Sequence, residues 1–103
     1  MPDFKKVATV AEVPQGEMKL VEVDGQEIVI ANVDGAFYVF AAECTHMGGP
    51  LADGFLVNDV VECPWHGGQF DVKTGQVVAP PPPTPLPTYA VQVEGSDIQV
   101  AFE

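Results

Sequence analysis

A chain of 103 residues, 47% of them hydrophobic, has material for one modest core, and no stretch approaches the roughly 18 consecutive apolar residues that span a bilayer. Its formal charge of -11, from four lysines set against fifteen acidic residues, argues against nucleic acid or a membrane surface as partner and favours basic proteins. Two cysteines without a visible signal peptide do not make a secreted disulfide scaffold, so a soluble, cytoplasmic, single-domain chain over 1–103 with reduced thiols is expected.

In chain order the strand signals are "MKLVEV", "EIVIANV", "AFYVFAA", "DVVECP" and "YAVQVEG", rich in Val, Ile, Tyr and Phe and partly alternating. Helical periodicity is hard to find. The joints "VDGQ" at 23–26, "VDGA" at 33–36 and "VEGS" at 93–96 put glycine where a tight hairpin needs positive φ, and "VNDV" at 57–60 is a similar two-residue turn. These features predict an all-β fold of antiparallel sheets with about ten short strands. The segment "APPPPTPLP" at 79–87 holds six of the ten prolines and cannot be a central strand. It is either a stiff connector or a rigid flap over a buried group.

All of the cysteine and histidine in the chain falls in two matched units. The first is Cys44-x-His46 and the second is Cys63-x-x-His66, with residues 47–62 between them. Each unit runs into a glycine pair, Gly48 and Gly49 in the first and Gly67 and Gly68 in the second. The hairpin "GFLVNDVVECPWH" at 54–66 joins the two units, and because its strands run out and back, it can bring both to one end of a sheet. Accidental placement of four such residues in matched pairs is improbable. Two metal chemistries remain: a tetrahedral zinc site of two thiolates and two imidazoles, or a 2Fe-2S cluster with both thiolates on one iron and both imidazoles on the other. Zinc usually draws the two ligands of a short unit from one residue type, and here each unit is mixed.

The motifs "CTHMGGPL" and "CPWHGGQFD" resemble the two cluster-binding boxes of Rieske proteins, and the resemblance to small Rieske-type ferredoxins extends over nearly the whole chain. It implies a Rieske-type fold with a small cluster-binding region at about 43–71, made of two loops and completed by the proline-rich loop at 79–87. It also implies one 2Fe-2S cluster, with Cys44, His46, Cys63 and His66 as its ligands. Around that cluster Gly48, Gly49, Gly67 and Gly68 would let backbone amides approach the sulfurs, Trp65 would cover a flank, and the 80–85 stretch with Pro82 would shield it. Phe70 is expected to be a packing residue and Asp71 a loop brace. The Rieske proteins of respiratory cytochrome bc complexes carry an extra disulfide-bonded cysteine in each box, where this chain has Gly49 and Trp65. They also carry a Ser and a Tyr that donate hydrogen bonds to cluster sulfurs, where this chain has Gly68 and Phe70. Both departures point to a soluble carrier of lower potential.

A cluster with all four protein ligands filled has no open coordination site, and the chain has no spare His or Cys and no phosphate-cradling loop. The expectation is therefore an electron carrier and not an enzyme. By resemblance it is the ferredoxin component of a multicomponent aromatic-ring-hydroxylating dioxygenase, a monomer running between a flavin-dependent ferredoxin reductase and a terminal oxygenase. The alternatives are a small Rieske-like subunit of an assimilatory nitrite reductase and, in another class, a zinc-stabilised binding module. Glu43 and Glu62, each beside a cysteine of a box, are the candidate docking charges.

Overall fold

The computed structural model describes residues 4–43, 50–64, 67–79 and 85–101. Ten strands follow in chain order: β1 (Lys5–Thr9), β2 (Met18–Val23), β3 (Gln26–Val33), β4 (Ala36–Ala41), β5 (Phe55–Val57), β6 (Val60–Glu62), β7 (Gln69–Asp71), β8 (Val77–Ala79), β9 (Thr88–Glu94) and β10 (Asp97–Ala101). Two single 3-10 turns, Val10–Glu12 and Leu51–Asp53, are the only helical pieces among the described residues. All strand pairs are antiparallel. They form a six-stranded sheet ordered β1-β10-β9-β4-β3-β2 and a four-stranded sheet ordered β5-β6-β7-β8.

The turns follow the glycine chemistry. Asp24 and Gly25 sit at φ 52° and 82°, and Asp34 and Gly35 at 53° and 88°. Positive φ at both central positions matches the right-handed twist of the strands they join. Asn58, at φ 56°, opens the Asn58-Asp59 turn between β5 and β6. In the last hairpin Glu94 pairs with Asp97, so the turn is Gly95-Ser96, one residue later than the "VEGS" window centres it.

Strand β3 explains why the alternation in the sequence is only partial. Ile28 and Ile30 face a core shared with Val39, Ile98, Val100 and Ala8, while Val29 and Ala31 face a second core shared with Phe40, Leu51, Val61 and Phe70. A strand buried on both faces reads as a continuous apolar run, because neither side meets water. The first core fills the six-stranded sheet, whose edge strands β1 and β2 approach each other and are bridged by the Lys5–Asp24 ion pair. The second core lies between the β3–β4 part of that sheet and the small sheet. On the Ile28 and Ile30 side of β3, Asn32, the one buried polar residue among those described, donates from Nδ2 to the carbonyl of Val13, a member of the first core, and accepts the Gly35 N–H at Oδ1. Burial of this amide is tolerable because its groups are paired.

Candidate metal centre

Of the candidate site residues, Cys63, Gly67 and Gly68 are described. Cys44, His46, Gly48, Gly49, Trp65, His66 and Pro82 lie outside the described residues. The geometry of the centre is therefore built from the ends that hold its loops.

The first box springs from the end of β4. Glu43 and Pro50 form an isolated antiparallel bridge, and the Leu51 N–H donates to the Ala42 carbonyl at 3.0 Å, so the two flanks of the first box meet in a closed base. The second box springs from the end of β6. The Cys63 N–H donates to the Gly68 carbonyl at 2.7 Å, and Gly67 turns the chain at φ 73°, a left-handed conformation that glycine adopts without a Cβ penalty. Cys63 itself is only 1% exposed.

The proline-rich segment ends as firmly. Leu86 is buried, its N–H donates to the Gly75 carbonyl at 2.6 Å, and the Ala41 N–H donates to the Pro87 carbonyl at 2.9 Å. Ala42, Leu51, Cys63 and Leu86, one from each loop end, belong to a single buried cluster completed by Val61, Phe70 and Val72. The bases of both boxes and the exit of the proline segment thus converge. This convergence, with Cys63 buried at its centre, fits a cluster bound through a buried thiolate.

Two glycines that the sequence does not single out make this convergence possible. A Cβ on Gly54 would stand 2.0 Å from the Glu62 carbonyl oxygen, and one on Gly75, which also has φ 80°, would stand 2.0 Å from the Leu86 carbonyl oxygen. Side chains at these positions would force the entry of β5 off the end of β6 and the proline segment off the β7–β8 turn. Gly75 carries a turn signal in "KTGQ", but its partner lies eleven residues downstream, where no local pattern indicates contact.

The charge around the centre is one-sided. All four lysines are engaged in ion pairs: Lys5 with Asp24, Lys6 with Asp97, Lys19 with Glu12 and Lys73 with Asp59. These exposed pairs add little stability, but they leave other carboxylates uncompensated. Beside the first box a groove of about 180 Å³ is lined by Leu20, Glu27, Glu43, Pro50 and Asp53, among others, with no lysine. At the second box the Glu62 carboxylate accepts a hydrogen bond from the Gln69 side chain at 2.8 Å.

Fold and site together define a small all-β domain in which the bases of two glycine-rich loops meet the end of a proline-rich segment. Residues 3–90 match the Rieske [2Fe-2S] domain family. The biphenyl dioxygenase ferredoxin subunit of Pseudomonas sp. strain KKS102 is 46% identical over 96% of this chain and 92% of its own length. The Sphingomonas yanoikuyae B1 ferredoxin superposes with a TM-score of 0.92 at 33% identity, covering 98% of this chain and all of its own. A chain from a complex of reduced oxygenase and oxidized ferredoxin in carbazole 1,9a-dioxygenase superposes at 0.90, also at 33% identity, covering 95% and 92%. The chain belongs to the Rieske family: it carries one 2Fe-2S cluster and is an electron carrier, not an enzyme. That membership leaves no place for the zinc module, and the ferredoxin relatives displace the nitrite reductase subunit.

Proposed function

We propose that Cys44 and Cys63 hold one iron of the cluster and His46 and His66 the other, and that the chain, as one monomeric cytoplasmic domain, carries single electrons from a flavin-dependent reductase to a terminal aromatic-ring-hydroxylating oxygenase. The observation that supports this most directly is the shared burial of Ala42, Leu51, Cys63 and Leu86, because it brings the bases of the two boxes and the end of the proline segment together.

The bound cluster supplies a one-electron couple. The chain supplies its placement and surroundings. The backbone of Cys63 is held by its N–H to the Gly68 carbonyl. The apolar side chains of Val61, Leu51 and Phe70 in the same cluster keep water from the sulfur side. The imidazoles of His46 and His66 would form the exit for the electron. Glu43 is exposed at the base of the first box, and the chain's charge of -11 would draw a basic partner surface to this end and raise the encounter rate.

Iron and sulfide analysis with electron paramagnetic resonance of the reduced protein tests the ligand set. Two irons and two sulfides per chain with a Rieske-type signal are expected, together with loss of that signal in a His46→Ala variant. A normal signal in the His46→Ala protein would exclude the assignment.

A further inference from the structure

On the solvent side of a half-buried antiparallel sheet alternate positions are ordinarily polar. Strand β9 conforms from Thr88 to Gln92, exposing Thr88, Ala90 and Gln92 and turning Tyr89 and Val91 toward the core, with Val93 near its end exposed as well. The small sheet departs from this pattern. Its register, Phe55↔Glu62, Val57↔Val60 and Val60↔Asp71, sets Phe55, Val57, Val60, Glu62 and Asp71 on the outer face, while Leu56, Val61 and Phe70 pack on the core. Phe55 is 61% and Val57 62% exposed, the highest values for large hydrophobics among the described residues. Core packing does not require them, since Leu56 between them already turns inward.

The border of this apolar patch is acidic. Glu62 and Asp71 share the face and Asp59 stands in the turn, against the single ammonium of Lys73, which lies 3.7 Å from Asp59. A second copy would bring the same acidic border and another charge of -11, so self-association through this face meets like-charge repulsion. A surface with the opposite border meets attraction. The patch is also continuous with the metal centre: Gly54 packs directly on the Glu62 carbonyl, and Glu62 precedes Cys63.

We propose that the outer face of the β5–β6 hairpin is a docking surface for the terminal oxygenase, received by an apolar recess bordered with lysine or arginine. This rests on the carrier function above and adds a second foothold beside the box tips. Phe55 and Val57 fill the recess, and the rigid tie through Gly54 fixes the direction in which the centre points while the two proteins are joined.

The test mixes dithionite-reduced protein with the oxidised oxygenase of the biphenyl dioxygenase system of Pseudomonas sp. strain KKS102, whose ferredoxin subunit is 46% identical, and follows electron arrival spectroscopically. A Phe55→Ser, Val57→Thr double variant is expected to lower the second-order rate constant about tenfold at every salt concentration. Its resonance spectrum, its potential and the limiting rate at saturation should be unchanged. Phe55→Leu, which keeps the patch apolar, should retain most of the wild-type rate. A double variant within twofold of wild type overturns the proposal. So does a wild-type dimer in sedimentation that the double variant abolishes, since the patch would then be a self-contact. If the wild type itself delivers no electrons, the carrier function with this acceptor fails first and the docking surface falls with it, and the wild-type trace alone distinguishes that case.

Discussion

The six-stranded and the four-stranded sheet differ in what stabilises them. The larger has strands of five to eight residues, tight hairpins and a core of its own side chains, Ile28, Ile30, Val39, Ile98 and Val100. The smaller has four strands of three residues each, and its buried side chains, Val61, Cys63, Phe70 and Val72, share a core with the larger sheet. Three-residue strands bury too little surface to hold themselves. The comparison teaches that one region folds on its own hydrophobic burial, whereas the other leans on its neighbour, and a group bound through Cys63 would add to its stability, because metal binding and folding are linked.

The largest expected effect breaks that dependence. Cys63→Ala should reduce bound iron to trace levels and strip the protection from amides of β5–β8 in hydrogen exchange, while β3, β4, β9 and β10 stay protected. Equal loss in both sheets would show that they unfold as one unit.

A pair of identical substitutions sharpens the contrast next. Gly25 and Gly75 have nearly the same positive φ, 82° and 80°, but a Cβ on Gly25 meets nothing within 4 Å, whereas one on Gly75 meets the Leu86 carbonyl at 2.0 Å. Gly25→Ala should cost about 1 kcal/mol for the left-handed conformation. Gly75→Ala adds overpacking and should cost about 3 kcal/mol in denaturant unfolding. Equal costs would mean that the proline segment can leave the β7–β8 turn freely.

A smaller effect concerns the potential. Phe70 is buried in one cluster with Cys63, and neither it nor Gly68 carries a hydroxyl. A neutral hydrogen bond to a cluster sulfur contributes about 0.5 to 1.5 kcal/mol in favour of the reduced state, which for one electron is roughly 20 to 65 mV. Protein-film voltammetry should place the wild type near the low end of the Rieske range, about -150 mV. A Gly68→Ser, Phe70→Tyr double variant should lie tens of millivolts higher. A wild-type potential well above zero would contradict the assignment of these positions.

The smallest effect belongs to the larger sheet alone. The Glu12 carboxyl is held below the usual carboxylate range, first because the Thr9 backbone N–H donates to it at 2.8 Å, then by the Thr9 hydroxyl at 2.9 Å, with Lys19 adding attraction. A depressed folded-state pKa contributes stability above the ordinary carboxylate range and loses it as pH falls through the folded value. Glu12→Gln should therefore be slightly less stable than wild type at pH 7 and indistinguishable from it in acid, without affecting the cluster. A stability difference that grows on acidification would reverse this sign.

Much of the molecule was legible because its signals are local. The Asp-Gly pairs at 24–25 and 34–35 announce hairpins, since two successive positive φ angles suit few other residues, and "MKLVEV" coincides with β2. The two boxes were equally plain, because the ligand chemistry needs Cys and His at fixed short spacings and this chain has no others. Strands β1, β7 and β8 were not singled out: β1 opens on two exposed lysines, and the three residues of β7 or β8 are too few to show a period. That Phe55 and Val57 lie on the outer face is shown only by the register of the small sheet.

The sequence by itself determined the all-β class, the hairpin turns and the candidate ligands Cys44, His46, Cys63 and His66, for each depends on residue type and short spacing alone. Only the tertiary structure decided that Ala42, Leu51, Cys63 and Leu86 meet, that β3 is buried on both faces, and that Gly54 and Gly75 admit no side chain. Those are contacts between segments far apart in the chain, and backbone approach to a distant carbonyl leaves no trace in the residues beside it.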